Sequence, residues 1–480
     1  MPSRRLFTQL FSLFILAASV VGCGREADDV RMVDLLIVGA AVIDPASKAV
    51  TENTLIAIDE GKIVALSAQG DRAFTAERTI DASGQFAVPA FVDMHVHWGN
   101  GTFAEDDGLV ETTLARSLYY GVTRILNTGS NAASPAEIDA FRMKLKNGEW
   151  QGPQIYAVGT LISVPGSHPT TTIFPPAIQK QIEQTIASAP KEGAIDLMPL
   201  SAITLVRSPD DVRAVVKGLA AWGADAIKLT IESGPGPFGN DHPQMSEEVA
   251  RAAVEEAHAA GIPVIAHISQ RDDLDVCLRA GVDGAAHAAI DGPFDDDLHT
   301  RMGKAGFFYT VTLNLYDGLL NWTAALERMD DPFLRETLTE EEVASMTDTA
   351  HFFERDRAYF GRAGLRPILD HVREAHQAGA LLLTGTDTGN PYAFPGYGVH
   401  EELRLMVEAG IPTMDALAAA SVNAAKFFDE EDRWGAIAVG RAADLLILNK
   451  DPLADISNTR SIAHVIQNGR VIDRASLRIR

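Results

Sequence analysis

Apolar and polar positions alternate along this chain in a repeating style. Six times a stretch with apolar residues three and four apart runs into a glycine (Gly121, Gly223, Gly261, Gly281, Gly306, Gly379) and then directly into a short run rich in Val, Ile and Leu. A glycine there ends a helix in left-handed backbone without steric cost, and an unbroken apolar run suits a strand buried on both faces. The helices have support of their own: Val249, Ala253 and Ala257 fall four apart, and Ser246-Glu247-Glu248 stands where an N-cap and first-turn acids belong. The pattern predicts repeated αβ units. Taking residues 86–97 as a first strand and 154–162 as a third brings the count to eight, enough to close a parallel (β/α)8 TIM barrel. A doubly wound open sheet is the other arrangement the pattern allows.

The two ends differ from the middle. Residues 33–66 and 443–472 are short β-type runs broken by the turn pairs Asp44-Pro45, Glu60-Gly61 and Asn468-Gly469. Separate in sequence but alike in character, they are expected to pair into one small β-sandwich domain formed by residues 33–85 and 435–476, with the barrel spanning 86–434. Two long stretches, 165–207 after strand 3 and 316–362 after strand 7, are expected to shape the mouth of the barrel.

Length and composition narrow the possible functions. A chain of 480 residues can bury one large core and carry a smaller domain beside it. A net charge of −24 repels phosphate backbones and anionic lipid surfaces, so nucleic acid is not an expected partner. The first 25 residues lack Asp and Glu, place Arg4 and Arg5 before a short apolar run, and reach Val20-Val21-Gly22-Cys23. This pattern predicts an export signal over 1–23 and a linker over 24–32. The small residues before Cys23 resemble the lipobox of bacterial lipoproteins, which implies acylation of Cys23 and anchoring to a membrane that faces the periplasm or cell exterior. An ordinary cleaved signal and an uncleaved anchor are the alternatives. Cys277 lies at helical spacing with Leu274 and Leu278 and reads as a buried helix residue. The sequence leaves self-association into a homo-oligomer open.

The chemistry-bearing residues stand at the ends of the predicted strands. His95-Val96-His97 closes the first; side chains two apart on a strand share a face, so both imidazoles can reach one cation, or can simply be hydrogen-bonded. Lys228, His267, His287 and Asp387 each follow apolar residues that end later strands. One such residue can be satisfied by a neighbour, but all of them at the carboxyl ends of barrel strands point to a catalytic centre. Lys228 is the most informative, because an ammonium repels a metal ion. Burial lowers a lysine pKa, and a neutral amine can add carbon dioxide to become an anionic carbamate; the other reading pairs Lys228 with Asp225 or Glu232.

This constellation, HxH on strand 1, Lys on strand 4, His on strands 5 and 6 and Asp on strand 8, resembles the amidohydrolase superfamily. The resemblance extends through His400-Glu401-Glu402, Ser421-Val422-Asn423 and residues 435–445, which look like that family's return from barrel to small domain. It implies two divalent metal ions, one on His95, His97 and Asp387, the other on His267 and His287, bridged by N6-carboxylated Lys228. It further implies a metal-bridging hydroxide as nucleophile and Asp387 as the acid/base. Zinc is the default metal, although manganese, cobalt and iron suit the same donors.

Within the superfamily the chain looks most like the imidazolonepropionase-related Xaa-Pro dipeptidases, or prolidases. That likeness gives His168 and Tyr316 the places of substrate-binding residues after strands 3 and 7. Around His168 the chain has Pro169-Thr170-Thr171-Thr172 in place of the relatives' glycine-rich loop. Three functions follow as expectations. The first is hydrolysis of C–N bonds in small substrates such as dipeptides or N-acyl amino acids. The second is esterase, lactonase or phosphotriesterase chemistry on the same scaffold, and the third is a surface lipoprotein that binds metal or ligand without turnover. The intact ligand set favours an enzyme. The remaining histidines, His242 among them, lack strand-end placement, and residues 336–342 read as a solvated acidic face.

Overall fold

Parallel strands alternate with helices through the middle of the chain in a computed structural model of the protein. The structure describes residues 30–479 apart from 69, 71–72, 99–106, 130–133, 175, 198–201, 234–241, 292–293, 350–363, 391 and 478. The predicted signal, the linker up to residue 29 and Cys23 lie outside the described residues.

The strands are β1 Arg31–Asp44, β2 Ala49–Asp59, β3 Lys62–Ala68, β4 Phe74–Asp81, β5 Phe86–Pro89, β6 Phe91–Val96, β7 Val122–Asn127, β8 Gln154–Ala157, β9 Leu161–Ser163, β10 Ile195–Asp196, β11 Ile203–Leu205, β12 Ile227–Thr230, β13 Val264–His267, β14 Gly284–Ala286, β15 Phe308–Thr310, β16 Leu381–Leu383, β17 Leu445–Leu448, β18 Ile462–Gln467 and β19 Arg470–Val471. β6, β7 and β8 form one parallel sheet. β9 and β12 to β16 run parallel in a second sheet, which β11 and β10 extend at the β9 edge.

Backbone hydrogen bonds join the two sheets at both sides: Met94 N to Thr384 O (2.9 Å) and Asp387 N to His95 O (2.8 Å) on one, Asp225 N to Ala157 O (3.0 Å) on the other. One buried apolar cluster draws Val92, Met94, Leu126, Tyr156, Ala226, Ile265, Ala286 and Leu383 from β6, β7, β8, β16 and the β12–β14 region, with Phe427 and Trp434 packed among them.

The glycines behave as the pattern predicts. All six have positive φ; Gly223 (96°) and Gly379 (108°) are examples. The helix at Pro209–Trp222 shows both ends of the logic: the Ser208 side chain accepts from Asp211 N, proline starts the first turn, and Gly223 receives the chain in left-handed backbone. Cys277 is fully buried on the helix at Arg271–Ala280.

Two expected strands are broken. Residues 86–97 divide at Ala90, so that β5 pairs with β1 and with β17 in the terminal sheet while β6 starts the parallel series. Residues 154–162 divide at Gly159, whose φ is 80° and where a Cβ would lie 2.9 Å from Leu219 and Trp222 atoms. The chain turns there because only a residue without a side chain fits under that helix.

The N- and C-terminal segments do pair. They form one connected mixed sheet in the order β19-β18-β17-β5-β1-β2-β3, with β4 beside β1. Leu35, Ile37, Ile56, Ile58, Leu445, Ile447 and Ile466 fill its core. A buried ion pair from Arg124 of β7 to Asp444, just before β17, fastens this sheet to the parallel strands, and the Arg124 guanidinium stacks 4.6 Å over Trp434. Among the described residues no helix is long and apolar enough to cross a membrane. The acidic segment is not merely solvated, since Glu342 pairs with the buried Arg116 at 2.5 Å and Glu336 accepts from Tyr119 at 2.7 Å.

Candidate metal centre

The strand-end residues singled out from the sequence meet in one buried place. Five imidazoles form a continuous train: His168 stacks on His267 (centroids 4.2 Å apart), His267 meets His287 (4.5 Å), His287 meets His95 (4.7 Å) and His95 meets His97 (5.1 Å). A carboxylate stands near each end of the train, Asp387 at one and Glu232 at the other.

Asp387 Oδ1 lies 3.2 Å from His97 Nε2 and 3.4 Å from His95 Nε2, and Asp387 Oδ2 lies 3.8 Å from His287 Nδ1. His97 Nδ1 contacts the Gly129 carbonyl, which fixes that nitrogen as the N–H and leaves a lone pair on Nε2. This lone pair faces the Asp387 carboxylate and His95 Nε2, 3.2 Å away. Asp387 Oδ1 is buried and has no hydrogen-bond partner among the described residues. Acceptors gathered this closely call for a cation, and burial holds His95 and His287 far below the usual histidine pKa, in the neutral form that ligates metals.

The local backbone is built for this convergence. His287 (φ 75°), Thr312 (φ 46°) and Asp387 (φ 55°) follow β14, β15 and β16 in left-handed backbone, a costly conformation that concentrates at functional sites. Asp93 on β6, missed in the sequence because it sits inside an apolar run, accepts from Thr386 N (3.0 Å), Thr386 Oγ1 (2.6 Å) and His95 N (3.2 Å). It thereby locks the Asp387 turn to the His95 strand. Its carboxyl is pushed up to about 7 by burial, only partly offset by the Thr386 hydrogen bonds.

Gly385 lets these two strands approach: a Cβ there would press on Thr310 Cγ2 and lie 2.8 Å from His95 Cβ. Gly385→Ala is expected to cost about 1–3 kcal/mol of stability and to weaken metal binding, read together in thermal melts with and without added zinc.

Lys228 is 2% exposed, and its Nζ has no hydrogen-bond partner among the described residues. The alternative pairing fails on both counts: Asp225 accepts from Arg142 (2.5 Å) and Ala157 N (2.8 Å), and Glu232 faces histidines and Ser269. Burial lowers the Lys228 pKa to about 7, against the weaker opposing pull of Asp387.

Glu232 is fully buried. Its Oε1 accepts from Ser269 Oγ (2.5 Å); its Oε2 lies 3.0 Å from His168 Nδ1, 3.2 Å from His267 Nε2 and 3.8 Å from His242 Nε2. Burial acts to raise its pKa, but His168, His267 and Ser269 outweigh that and keep it ionised. The spacing is the mark Glu232 leaves in the sequence: it follows Lys228 by four residues on an extended segment, so both can face one side. His242, set aside for want of a strand end, is likewise in the site.

His168 is thus at the centre. The Tyr316 side chain is 4% exposed on the helix at Leu313–Leu320, and its hydroxyl donates to the Ala288 carbonyl (2.7 Å), bracing the residue after His287.

The amidohydrolase family profile matches residues 86–472. The chain belongs to the amidohydrolase family. As an amidohydrolase it is a hydrolase of a family that generally uses divalent metals, in keeping with the two His-carboxylate groups His95–His287–Asp387 and His168–Glu232–His267, whose ligand atoms lie within 4.8 Å of one another in each. This amidohydrolase is 23% identical to an imidazolonepropionase of Symbiobacterium thermophilum over 94% of its own length and 100% of that protein. Its fold is similar to that of an Xaa-Pro dipeptidase with methionine bound in its active site (TM-score 0.70, 24% identity, 91% and 99% of the two chains). It is also similar to that of a prolidase complexed with N-methylphosphonate-L-proline (TM-score 0.69, 23% identity, 91% and 99%).

Proposed function

We propose that the protein is a binuclear metal-dependent amidohydrolase that cleaves C–N bonds of small substrates such as dipeptides or N-acyl amino acids. The observation that carries this reading is the buried train of histidines between two carboxylates, with the unpartnered Lys228 in the same site. His95, His97 and Asp387 would hold one ion, His267 and His287 the other, and Lys228, as a carbamate, would join them. A pKa of about 7 supports that modification, since about half of such lysines are neutral at pH 7 where an exposed lysine has about one in 3,000. Divalent ions, with zinc the default, supply a Lewis acid for a carbonyl oxygen and lower the pKa of water.

The protein's own share is orientation and proton transfer. Asp387, held by His95 O and beside His97, takes the proton of the attacking water and delivers it to the departing amine nitrogen. Neutral His95 and His287 keep positive charge from competing at the same place. The scaffold belongs to the same proposal: the linked parallel strands close as a (β/α)8 barrel, and the terminal sheet folds over its core as the small sandwich domain. Cys23 as a lipid anchor on an exported chain completes the reading.

The test is a hydrolysis screen of the metal-loaded protein against dipeptides and N-acyl amino acids, with free amino acid as readout. Release from a related group of compounds, lost on chelation, is the expected result. Silence across the library from protein that holds its metal would overturn the C–N reading and direct the search to lactones, carboxyl esters and phosphotriesters.

A further inference from the structure

We propose that Thr312 is a positioning residue of the metal centre: its hydroxyl accepts the Nδ1 proton of His287 and so reserves His287 Nε2 for the ion this residue would share with His267. The inference rests on the metal-hydrolase reading above and adds a residue to it. Thr312 Oγ1 lies 3.0 Å from His287 Nδ1, while Asp387 Oδ2, 3.8 Å from the same nitrogen, is beyond hydrogen-bond reach. Burial keeps His287 neutral, so one ring nitrogen carries a proton and the other a lone pair. With Nδ1 engaged by Thr312, a proton on Nε2 would leave the ring no nitrogen for a metal. A proton on Nδ1 instead leaves Nε2 able to ligate, and the His267 ring stands 4.5 Å away between centroids.

The surrounding chain is built to hold this contact. Thr312 is fully buried and left-handed (φ 46°), a conformation that a β-branched residue adopts only at a cost. Glycine would fill such a place without strain but offers no hydroxyl. Glu402, fully buried on the helix at Tyr397–Ala409, fixes the turn: its carboxyl accepts from Leu313 N and from Asn314 N (2.5 Å), the two amides that follow Thr312. The same stretch grips the end of β14 residue by residue. His287 N donates to Thr310 O (2.9 Å) and Ala288 N to Val311 O (3.2 Å), the Tyr316 hydroxyl donates to Ala288 O (2.7 Å), and the Tyr309 hydroxyl accepts from Ala289 N (2.8 Å). Backbone and ring of His287 are thus set by one unit, β15 with the helix that follows it, and Thr312 is the member that touches the imidazole.

The experiment titrates zinc into the full chain for wild type, Thr312→Val and Thr312→Ser, with circular dichroism to select the folded variants. Valine keeps the shape of threonine and loses the hydroxyl, whereas serine keeps the hydroxyl. Wild type is expected to bind two ions, Thr312→Val to keep one and bind the second about 10–100-fold more weakly, and Thr312→Ser to bind both as wild type does. Nitrogen NMR of the metal-free, histidine-labelled wild type, with the His287 signals assigned by their loss in His287→Asn, is expected to find the ring proton on Nδ1; this measurement stands even if no Thr312 variant folds. A folded Thr312→Val that holds both ions with wild-type affinity, a Thr312→Ser as weak as Thr312→Val, or a His287 proton on Nε2 would overturn the role of Thr312 alone. A wild-type protein that binds no divalent ion would overturn the metal reading beneath it.

Discussion

Asp387→Asn is expected to lower turnover by about two to four orders of magnitude while the protein keeps its fold and most of its affinity for metal. The substitution preserves shape and a carbonyl oxygen that can still face His95 and His97, whose Nε2 atoms lie 3.4 and 3.2 Å from Asp387 Oδ1. It removes the negative charge and the capacity to carry a proton. Asp387 N still donates to His95 O and the Asp93–Thr386 contacts are untouched, so the turn that presents residue 387 survives. The measurement is kcat at saturating metal beside the metal content of the same preparation. Loss of activity in step with loss of metal would make Asp387 a ligand only.

Lys228→Met should produce two large effects of opposite sign. Without the amine there is no carbamate to join the ions, and turnover should fall by at least about 100-fold, as expected when a group that fixes the reacting geometry is lost. The metal-free protein should instead become more stable near neutral pH, because a buried, unpartnered amine is exchanged for an apolar chain of similar length.

The pH dependence gives the sign. The Lys228 pKa falls from 10.5 in the unfolded chain to about 7 in the fold, so between those values the unfolded state binds the extra proton and stability rises with pH. The full span corresponds to on the order of 5 kcal/mol, present in the wild type and missing in the variant. Denaturant unfolding of both metal-free proteins from pH 6 to 10 reads it. Parallel curves would mean that Lys228 is not held as a buried, unpaired amine.

Much of this was legible in the sequence because barrel-type proteins concentrate their chemistry where apolar strands end. His95, His97, His267, His287 and Asp387 follow short apolar runs and Lys228 lies within one, and burial of such groups is too costly to be accidental so often. His168 was legible only through resemblance, and the structure brings it onto His267. Glu232 was legible only as a possible partner of Lys228, and His242 was hidden because it comes from the segment after β12, where no apolar periodicity marks a position. Asp93 and Asp273 were hidden for a different reason: one lies within an apolar strand and the other in the acidic first turn of a helix, where a carboxylate is unremarkable. Strand bounds failed at Ala90 and Gly159, since a largely apolar run does not by itself reveal that the chain leaves one sheet for another.

The most direct test of the central claim is to titrate divalent metal into the metal-free protein while following hydrolysis of one dipeptide or N-acyl amino acid identified in the screen. The account predicts no turnover at the start and a rise that breaks at about two equivalents of metal per chain. Undiminished turnover by the metal-free protein would contradict it.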